Sequence, residues 1–374
     1  MRIVAFRIDP WSTETIKEYN KLFEYFGIRP FKDIISRLEK ITDPHIYMKR
    51  GIIFGHRDFE LVLKAMEEGR KFAILTGLMP SGRMHFGHKM VIDQVLYYQK
   101  LGAEVVIVVA DAEAYAVRKI SRKELIDYAL NEYIANYIAL GLKRKNSRIY
   151  FQTNHQKEYY RLIQLFSRKV TMAELKATYG DDIDTGKIIS VLTQMADILH
   201  LQLPEFGGFR EVLVPVGPDQ DPHLRLTRDV ADRFSNELKL IPPASTYHRF
   251  MSGLDGGKMS SSRPVSYIAL TDPPEVASKK IMNSLTGGRA TAEEQRRLGG
   301  QPEKCPVYEM FAYHLISDDN ELGKIYSDCK SGKMLCGECK RIAREKLVKF
   351  LADHQKKLKK AKDKVLEYVE PPTF

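Results

Sequence analysis

From residue 71 onward the chain repeats one pattern, a short apolar run followed by an amphipathic stretch. FAILTGLM (72–79) leads into HKMVIDQVLYYQKLG (88–102), and AEVVIVVADAEAYAV (103–117) into KELIDYALNEYIANYIALGL (123–142). Short, near-continuous apolar runs bounded by turn residues read as strands buried on both faces, and the longer stretches have helical periodicity. Strand and helix in alternation is the arrangement a parallel sheet with helical crossovers requires.

Two further strand candidates, RIYFQT (148–153) and EVLVPVG (211–217), stand either side of the helical TGKIISVLTQMADILHLQ (185–202). The expected fold class is α/β, with a Rossmann-like, doubly wound parallel sheet over 71–270 and its ligand at the carboxyl ends of the strands. After Pro273–Pro274 the strand signals stop, so 271–374 reads as a helical domain whose last helix is free to pack back on the sheet. Residues 1–70 carry no chemical motif and read as an N-terminal extension, with Trp11 as a packing residue.

The chain has 59 Lys and Arg against 48 Asp and Glu, and the resulting +11 favours a polyanionic partner, although a charged surface from a heat-adapted source gives the same balance. No apolar run approaches the roughly 20 residues of a membrane span. The start MRIVAFRIDPWSTETIKEYN lacks the basic-then-apolar order of a signal peptide, so a cytoplasmic location and no membrane partner are expected.

The first strand-to-helix turn, TGLMPSGRMHFGHK (76–89), differs from a G-x-G-x-x-G or a P-loop because two histidines flank a glycine. Pro80, Ser81 and Gly82 turn backbone N–H groups and a helix N-terminus toward an anion, which suits a triphosphate. His85 and His88 can donate to phosphate oxygens, and Gly87 lets a flat base lie against the backbone. Some 170 residues later comes a second element, Gly256-Gly257-Lys258-Met259-Ser260-Ser261-Ser262. There the glycines loosen a loop, Lys258 supplies a cation for charge on departing pyrophosphate, and the serines are short donors.

Together, in this order on an α/β background, the two elements resemble the HIGH and KMSKS signatures of class I aminoacyl-tRNA synthetases. The resemblance covers most of 71–354. VPVGPDQDPHLRLTRDVADRF (214–234) and LTGGRATAEEQRRLGG (285–300) are similar to stretches of the archaeal and eukaryotic tryptophan enzymes. The resemblance implies an ATP-dependent ligase that joins tryptophan to tRNA(Trp) through an adenylate. ATP with Mg2+ would be a substrate, 71–270 the catalytic domain and 271–374 the anticodon-binding domain. It also implies a homodimer, with the basic run KKLKKAKDK (356–364) near the anticodon arm or serving only as a solvated helix face.

Four residues are candidate amino-acid contacts: Glu113, Gln194 and Asp197, which share a helix face by their spacing of three, and Gln220. A buried indole needs one acceptor for its N–H, whereas the α-ammonium needs carboxylate and amide oxygens. By resemblance to the bacterial M-A-A-D-I-L helix, Asp197 is the candidate indole acceptor. Two positions depart from the eukaryotic pattern, with Leu75 where Tyr is expected and Val108 where Gln is expected, so the indole must be read differently here. Ser190 stands where tyrosine enzymes have a Tyr, and Leu75 removes one phenol reader, both of which favour tryptophan. Asp111, Asp219 and Asp221 could order Mg2+ waters or be ordinary loop carboxylates.

All four cysteines, Cys305, Cys329, Cys336 and Cys339, fall within about 35 residues of the helical region, separated by 23, 6 and 2 residues. Cys336-Gly-Glu-Cys339 has metal-ligand spacing. The residues leave open a metal, one or two disulfides, or four buried thiols; the resemblance adds the expectation of a structural iron–sulfur or zinc site.

Overall fold

In a computed structural model, which describes residues 19–118, 120–257, 259 and 263–373, one seven-stranded sheet organises the chain. Its strands are β1 (Arg29–Pro30), β2 (Ile53–Arg57), β3 (Ala73–Leu78), β4 (Glu104–Val109), β5 (Ser147–Phe151), β6 (Val212–Val216) and β7 (Ala244–His248). The spatial order is β1-β2-β7-β6-β3-β4-β5. The five strands from β7 to β5 run parallel; the alternating pattern predicts four of them, β3 to β6, and leaves out β7.

Side chains alternate across this sheet. Ile74, Val105, Ile107, Val109 and Leu213 enter one apolar cluster, while Leu75, Val106, Val108, Val212 and Val214 enter a second on the other face. Both faces are therefore covered, which is why these strands lack a polar side.

The sheet is mixed rather than wholly parallel. β2 pairs antiparallel with β7, and β1 antiparallel with β2, so Arg29–Pro30 and Ile53–Arg57 of the expected extension are part of the sheet. Periodicity could not reveal this, because β2 (IFGHR) is short and interrupted by Gly55. β7 (ASTYH) is polar in sequence, yet all five of its residues are buried. Trp11 lies outside the described residues.

On one face, the long helix Cys336–Lys362 packs against helices Pro274–Asn283 and Ala135–Leu140. The His354 ring nitrogen Nε2 lies 2.6 Å from Asn136 Oδ1, and Phe350 meets Phe86 at a ring separation of 5.5 Å. A single buried cluster thus runs from Phe31 to Val369, joining the helical region to the sheet. Leu347 and Leu351 are fully buried there, each contributing on the order of 1.5–3 kcal/mol. Lys356, Lys357, Lys359, Lys360 and Lys362 form the exposed face of the same helix, opposite Leu358 and Ala361. Among the described residues, no helix is long and apolar enough to cross a membrane.

Candidate functional site

The carboxyl ends of the parallel strands open onto a cavity of about 680 Å3. Of the residues expected to bind nucleotide, Ser81, His85, Gly87, His88 and Met259 line it; Pro80 and Gly82 shape the turn without reaching it. Lys258, Ser260, Ser261 and Ser262 lie outside the described residues. All four expected amino-acid contacts, Glu113, Gln194, Asp197 and Gln220, line the same cavity, so it has a nucleotide end and an amino-acid end.

At the nucleotide end His85 caps the helix Phe86–Lys100. The Gly87 N–H donates to His85 Nδ1 at 3.2 Å, and the His85 N–H donates to His88 Nδ1, also at 3.2 Å. An Nδ1 that accepts leaves the proton of a neutral imidazole on Nε2, so each ring keeps an N–H for an oxygen in the cavity. Both rings are held neutral. Burial pushes the His85 pKa well below its ordinary value, helped by neighbouring His88, and burial alone takes His88 down to about 4. The rings lie 3.8 Å apart, and a protonated pair at that spacing would repel.

The helix bearing them is fixed from below. Lys89 Nζ bridges both oxygens of Asp93 at 2.7 and 2.9 Å, and Tyr47 OH donates to Asp93 at 2.6 Å. Lys89 and His314 together hold the Asp93 carboxyl far below its usual range against its burial.

The backbone brings the two distant sequence signatures together. Leu270 N–H donates to Met84 O at 2.9 Å, Arg83 pairs with Asp272 at 2.7 Å, and Tyr267 lies 5.0 Å from the His85 ring. Gly253–Gly257 closes as a tight turn with Gly256 in the left-handed region (φ +83°). Asp255 ties that turn to Arg263 at 3.0 Å. Met259 is buried beside Gly87, its sulfur 3.6 Å from where a Cβ on that glycine would sit.

At the amino-acid end Asp197 is 4 % exposed and heavily solvated by protein. Tyr150 OH and Tyr159 OH both donate to Oδ1, at 2.9 and 2.6 Å, and Gln152 Nε2 donates to Oδ2 at 2.8 Å. Burial raises the carboxyl pKa to about 6, opposed by these three hydrogen bonds. Leu75 and Val108, 3 % and 1 % exposed, form apolar wall at this end. Ser190 Oγ bonds back to Gly186 O at 2.9 Å, within its own helix.

Sequence reasoning missed Tyr150, Gln152 and Tyr159. A signal existed for two of them: Tyr150 and Gln152 alternate with apolar Ile149 and Phe151, so they share the face of β5 that bears Val106 and Val108 on β4. Tyr159 sits among charged residues on the helix Lys157–Ser167, and nothing local marks it.

Two of the three candidate Mg2+ carboxylates have structural duties instead. Asp111 accepts from Thr153 N–H at 3.2 Å and from its hydroxyl, pinning the loop after β5. Asp221, fully buried, accepts from Arg57 at 2.9 Å, Tyr247 OH at 2.6 Å and Arg225 at 3.2 Å. Asp219 lines the cavity.

The expected metal site is not supported. Cys305, Cys329, Cys336 and Cys339 are free, which also removes the disulfides, and the Cys336 thiol donates to Gln295 Oε1 at 3.3 Å. Among the described residues, no group of three or more His, Cys, Asp or Glu is placed to hold a metal ion. Cys336 and Cys339 share the first turn of the helix Cys336–Lys362, while Cys329 lies on the helix Asp319–Lys330 and Cys305 caps Pro306–Met310.

Comparison with known proteins agrees with this geometry. The family of class I tRNA synthetases for W and Y matches residues 66–352. The tryptophan–tRNA ligase of Hyperthermus butylicus is 60 % identical over 99 % of this chain and 100 % of its own length, and that of Aeropyrum pernix is 58 % identical over the full length of both. The crystal structure of the Aeropyrum pernix tryptophanyl-tRNA synthetase superposes with a TM-score of 0.93 at 58 % identity, covering 98 % of this chain and 100 % of that one. The Plasmodium falciparum tryptophanyl-tRNA synthetase gives 0.84 at 32 %, covering 94 % and 96 %. With His85, Gly87, His88 and Met259 lining one cavity and relatives this close over its whole length, the chain belongs to the tryptophanyl-tRNA synthetases of class I.

Proposed function

We propose that the single cavity carries out both half-reactions of tryptophan–tRNA ligation, with the histidine turn holding ATP and the Asp197 end holding the amino acid. The chain activates tryptophan with ATP and passes it to tRNA(Trp) through tryptophanyl-adenylate. What carries the division of labour is the convergence on one cavity of five candidate nucleotide residues and four candidate amino-acid residues.

In the first step the tryptophan carboxylate attacks the α-phosphorus of Mg-ATP and pyrophosphate leaves. The Nε2–H groups of His85 and His88 donate to phosphate oxygens, and Lys258 meets the charge that grows on the leaving group. In the second step the terminal ribose hydroxyl of tRNA attacks the adenylate carbonyl and AMP departs. The indole lies between Leu75 and Val108 and gives its N–H to Asp197 Oδ2. Glu113, Gln194 and Gln220 receive the α-ammonium. The four cysteines have no part in this chemistry. The same reading includes a homodimer working in the cytoplasm, with tRNA reaching across the helical region; sedimentation of the purified protein checks the dimer.

The test is ATP–pyrophosphate exchange with tryptophan and tyrosine offered separately, without tRNA. Exchange with tryptophan alone is expected; exchange with tyrosine alone would overturn the assignment of the Asp197 end.

A further inference from the structure

Around Asp197 the protons are placed by an unusually complete set of neighbours. Both phenol protons, from Tyr150 on β5 and Tyr159 on the helix Lys157–Ser167, go to Oδ1. Oδ2 takes one proton from Gln152 and keeps a single accepting position. The shell behind is also fixed. His200 Nδ1 sits 2.9 Å from Ala196 O and 2.8 Å from Asp197 O, two acceptors, so its proton is there and its Nε2 accepts. His155 Nδ1 accepts from Gln156 N–H at 2.8 Å, so its Nε2–H points to His200 Nε2 at 3.4 Å. The His155 ring stacks on Tyr159 at 4.7 Å and lies 4.1 Å from Tyr150, which holds both phenols in place.

We propose that Tyr150 and Tyr159 are specificity-positioning residues: by committing their protons to Oδ1 they keep Asp197 an ionised acceptor and leave no phenol donor for a substrate hydroxyl. The inference rests on the reading of Asp197 as indole acceptor. An indole N–H only donates, so one acceptor between apolar walls satisfies it. A tyrosine hydroxyl donates and also accepts. It could give its proton to Oδ2, but its own oxygen would find both neighbouring phenols already engaged, and a buried oxygen left without a donor is selected against. The tyrosine side chain is therefore refused by the way the carboxylate is solvated as well as by the missing reader at Leu75.

The groups facing Asp197 set the expected pH behaviour. Tyr150, Tyr159 and Gln152 stabilise its charge, while burial and nearby Asp111 oppose it, with the carboxyl pKa raised to about 6. His155 and His200, kept neutral by burial, add no charge. Removing either phenol proton moves the balance toward the protonated acid. A protonated Asp197 no longer accepts at that oxygen and instead donates, which suits a phenol better than an indole.

The experiment is the pH profile of kcat/KM for tryptophan and for tyrosine in pyrophosphate exchange, with wild type, Tyr150→Phe, Tyr159→Phe and Asp197→Asn. For each Phe variant the acid limb with tryptophan should move up by about one pH unit, so the KM for tryptophan should rise about fivefold at pH 6 and about twofold at pH 7 with kcat kept. The preference for tryptophan over tyrosine should narrow by about the same factor. An acid limb that stays in place while activity falls evenly across pH would reduce both tyrosines to packing residues and overturn the proposal. Asp197→Asn separates the two claims: if it leaves the KM for tryptophan at the wild-type value, the indole assignment itself fails. If it abolishes tryptophan use while both Phe variants behave as wild type, only the positioning role fails. Two Phe variants, each checked by its melting temperature, keep the test decisive should one of them unfold.

Discussion

The two ends of the cavity are built on different principles. The nucleotide end is built mainly from one contiguous stretch in which His85 and His88 cap one helix and exchange hydrogen bonds with neighbouring backbone, with Met259 added from the later loop. The amino-acid end draws Leu75 from β3, Val108 from β4, Tyr150 from β5, Tyr159 from one helix and Asp197 from another. Its polar centre exists only once the sheet has formed. Chemistry common to every substrate can be written in a short motif, whereas the choice of side chain depends on tertiary assembly.

Acid should separate the ends most strongly. All ten histidines have pKa values lowered by burial, among them His85 and His88 at the nucleotide end. A lowered folded-state value means the unfolded chain binds more protons between about 6.5 and the folded value, so stability is complete above pH 6.5 and falls as pH drops toward about 4. Each fully buried ring gives up about 1.4 kcal/mol per pH unit across that window. Asp197 has the opposite sign, because its raised value makes the folded state the better proton binder between about 4 and 6. Asp111 and Glu309 are raised by burial as well, and three such carboxyls against ten rings do not reverse the trend. Melting temperature measured from pH 8 to pH 5 should fall steadily below 6.5, and a flat profile would mean that the histidines are not buried neutral.

Replacing Lys258 with Ala comes next in size. If the loop cation acts on the leaving pyrophosphate, kcat for exchange should drop about 10²–10³-fold with little change in the KM for tryptophan. A loss confined to tryptophan KM would place the lysine at the wrong end. Arg57→Ala addresses the scaffold that joins the ends. It removes a charge partner from Asp221, which is fully buried directly after Gln220, while Tyr247 and Arg225 remain. A cost of about 2–3 kcal/mol is expected in denaturant unfolding, below that of a pair with no other support. A modest rise in the KM for tryptophan should accompany it, because Asp221, the residue after Gln220, keeps only Tyr247 and Arg225.

The contrast between the ends also explains what the sequence disclosed. β3, β4 and β6 were legible because two-sided burial writes an uninterrupted apolar run, and the edge strand β5 because buried Ile149 and Phe151 recur at strand spacing. β7 was not, since its polar Ser245, Thr246 and His248 are all buried, Ser245 against Tyr247 OH and His248 near Gln94, and β2 is broken by Gly55. Asp197 could be picked out by its helix and its resemblance; the alternation on β5 marks Tyr150 and Gln152 as facing the same side as Val108, but no local rule links them, or Tyr159, to position 197. The cysteines show the converse error, with ligand-like spacing read as a site that three-dimensional placement does not support.

The finest probe of the separation is Gly87→Ala. An added Cβ would stand 3.0 Å from His85 Cε1 and 3.1 Å from its Nδ1, the atom that accepts the Gly87 N–H. The ring has to shift by a few tenths of an ångström while staying bonded to the same residue, whereas the Met259 sulfur at 3.6 Å is in ordinary contact and needs no change. Such a displacement misdirects the Nε2–H toward phosphate without disturbing Leu75, Val108 or Asp197. The KM for ATP should rise about tenfold and that for tryptophan should stay within twofold, judged against the roughly hundredfold loss that a full ångström of misplacement brings. If both constants rise together, the two ends are mechanically coupled through the turn, and the modular picture drawn from their construction has to be given up.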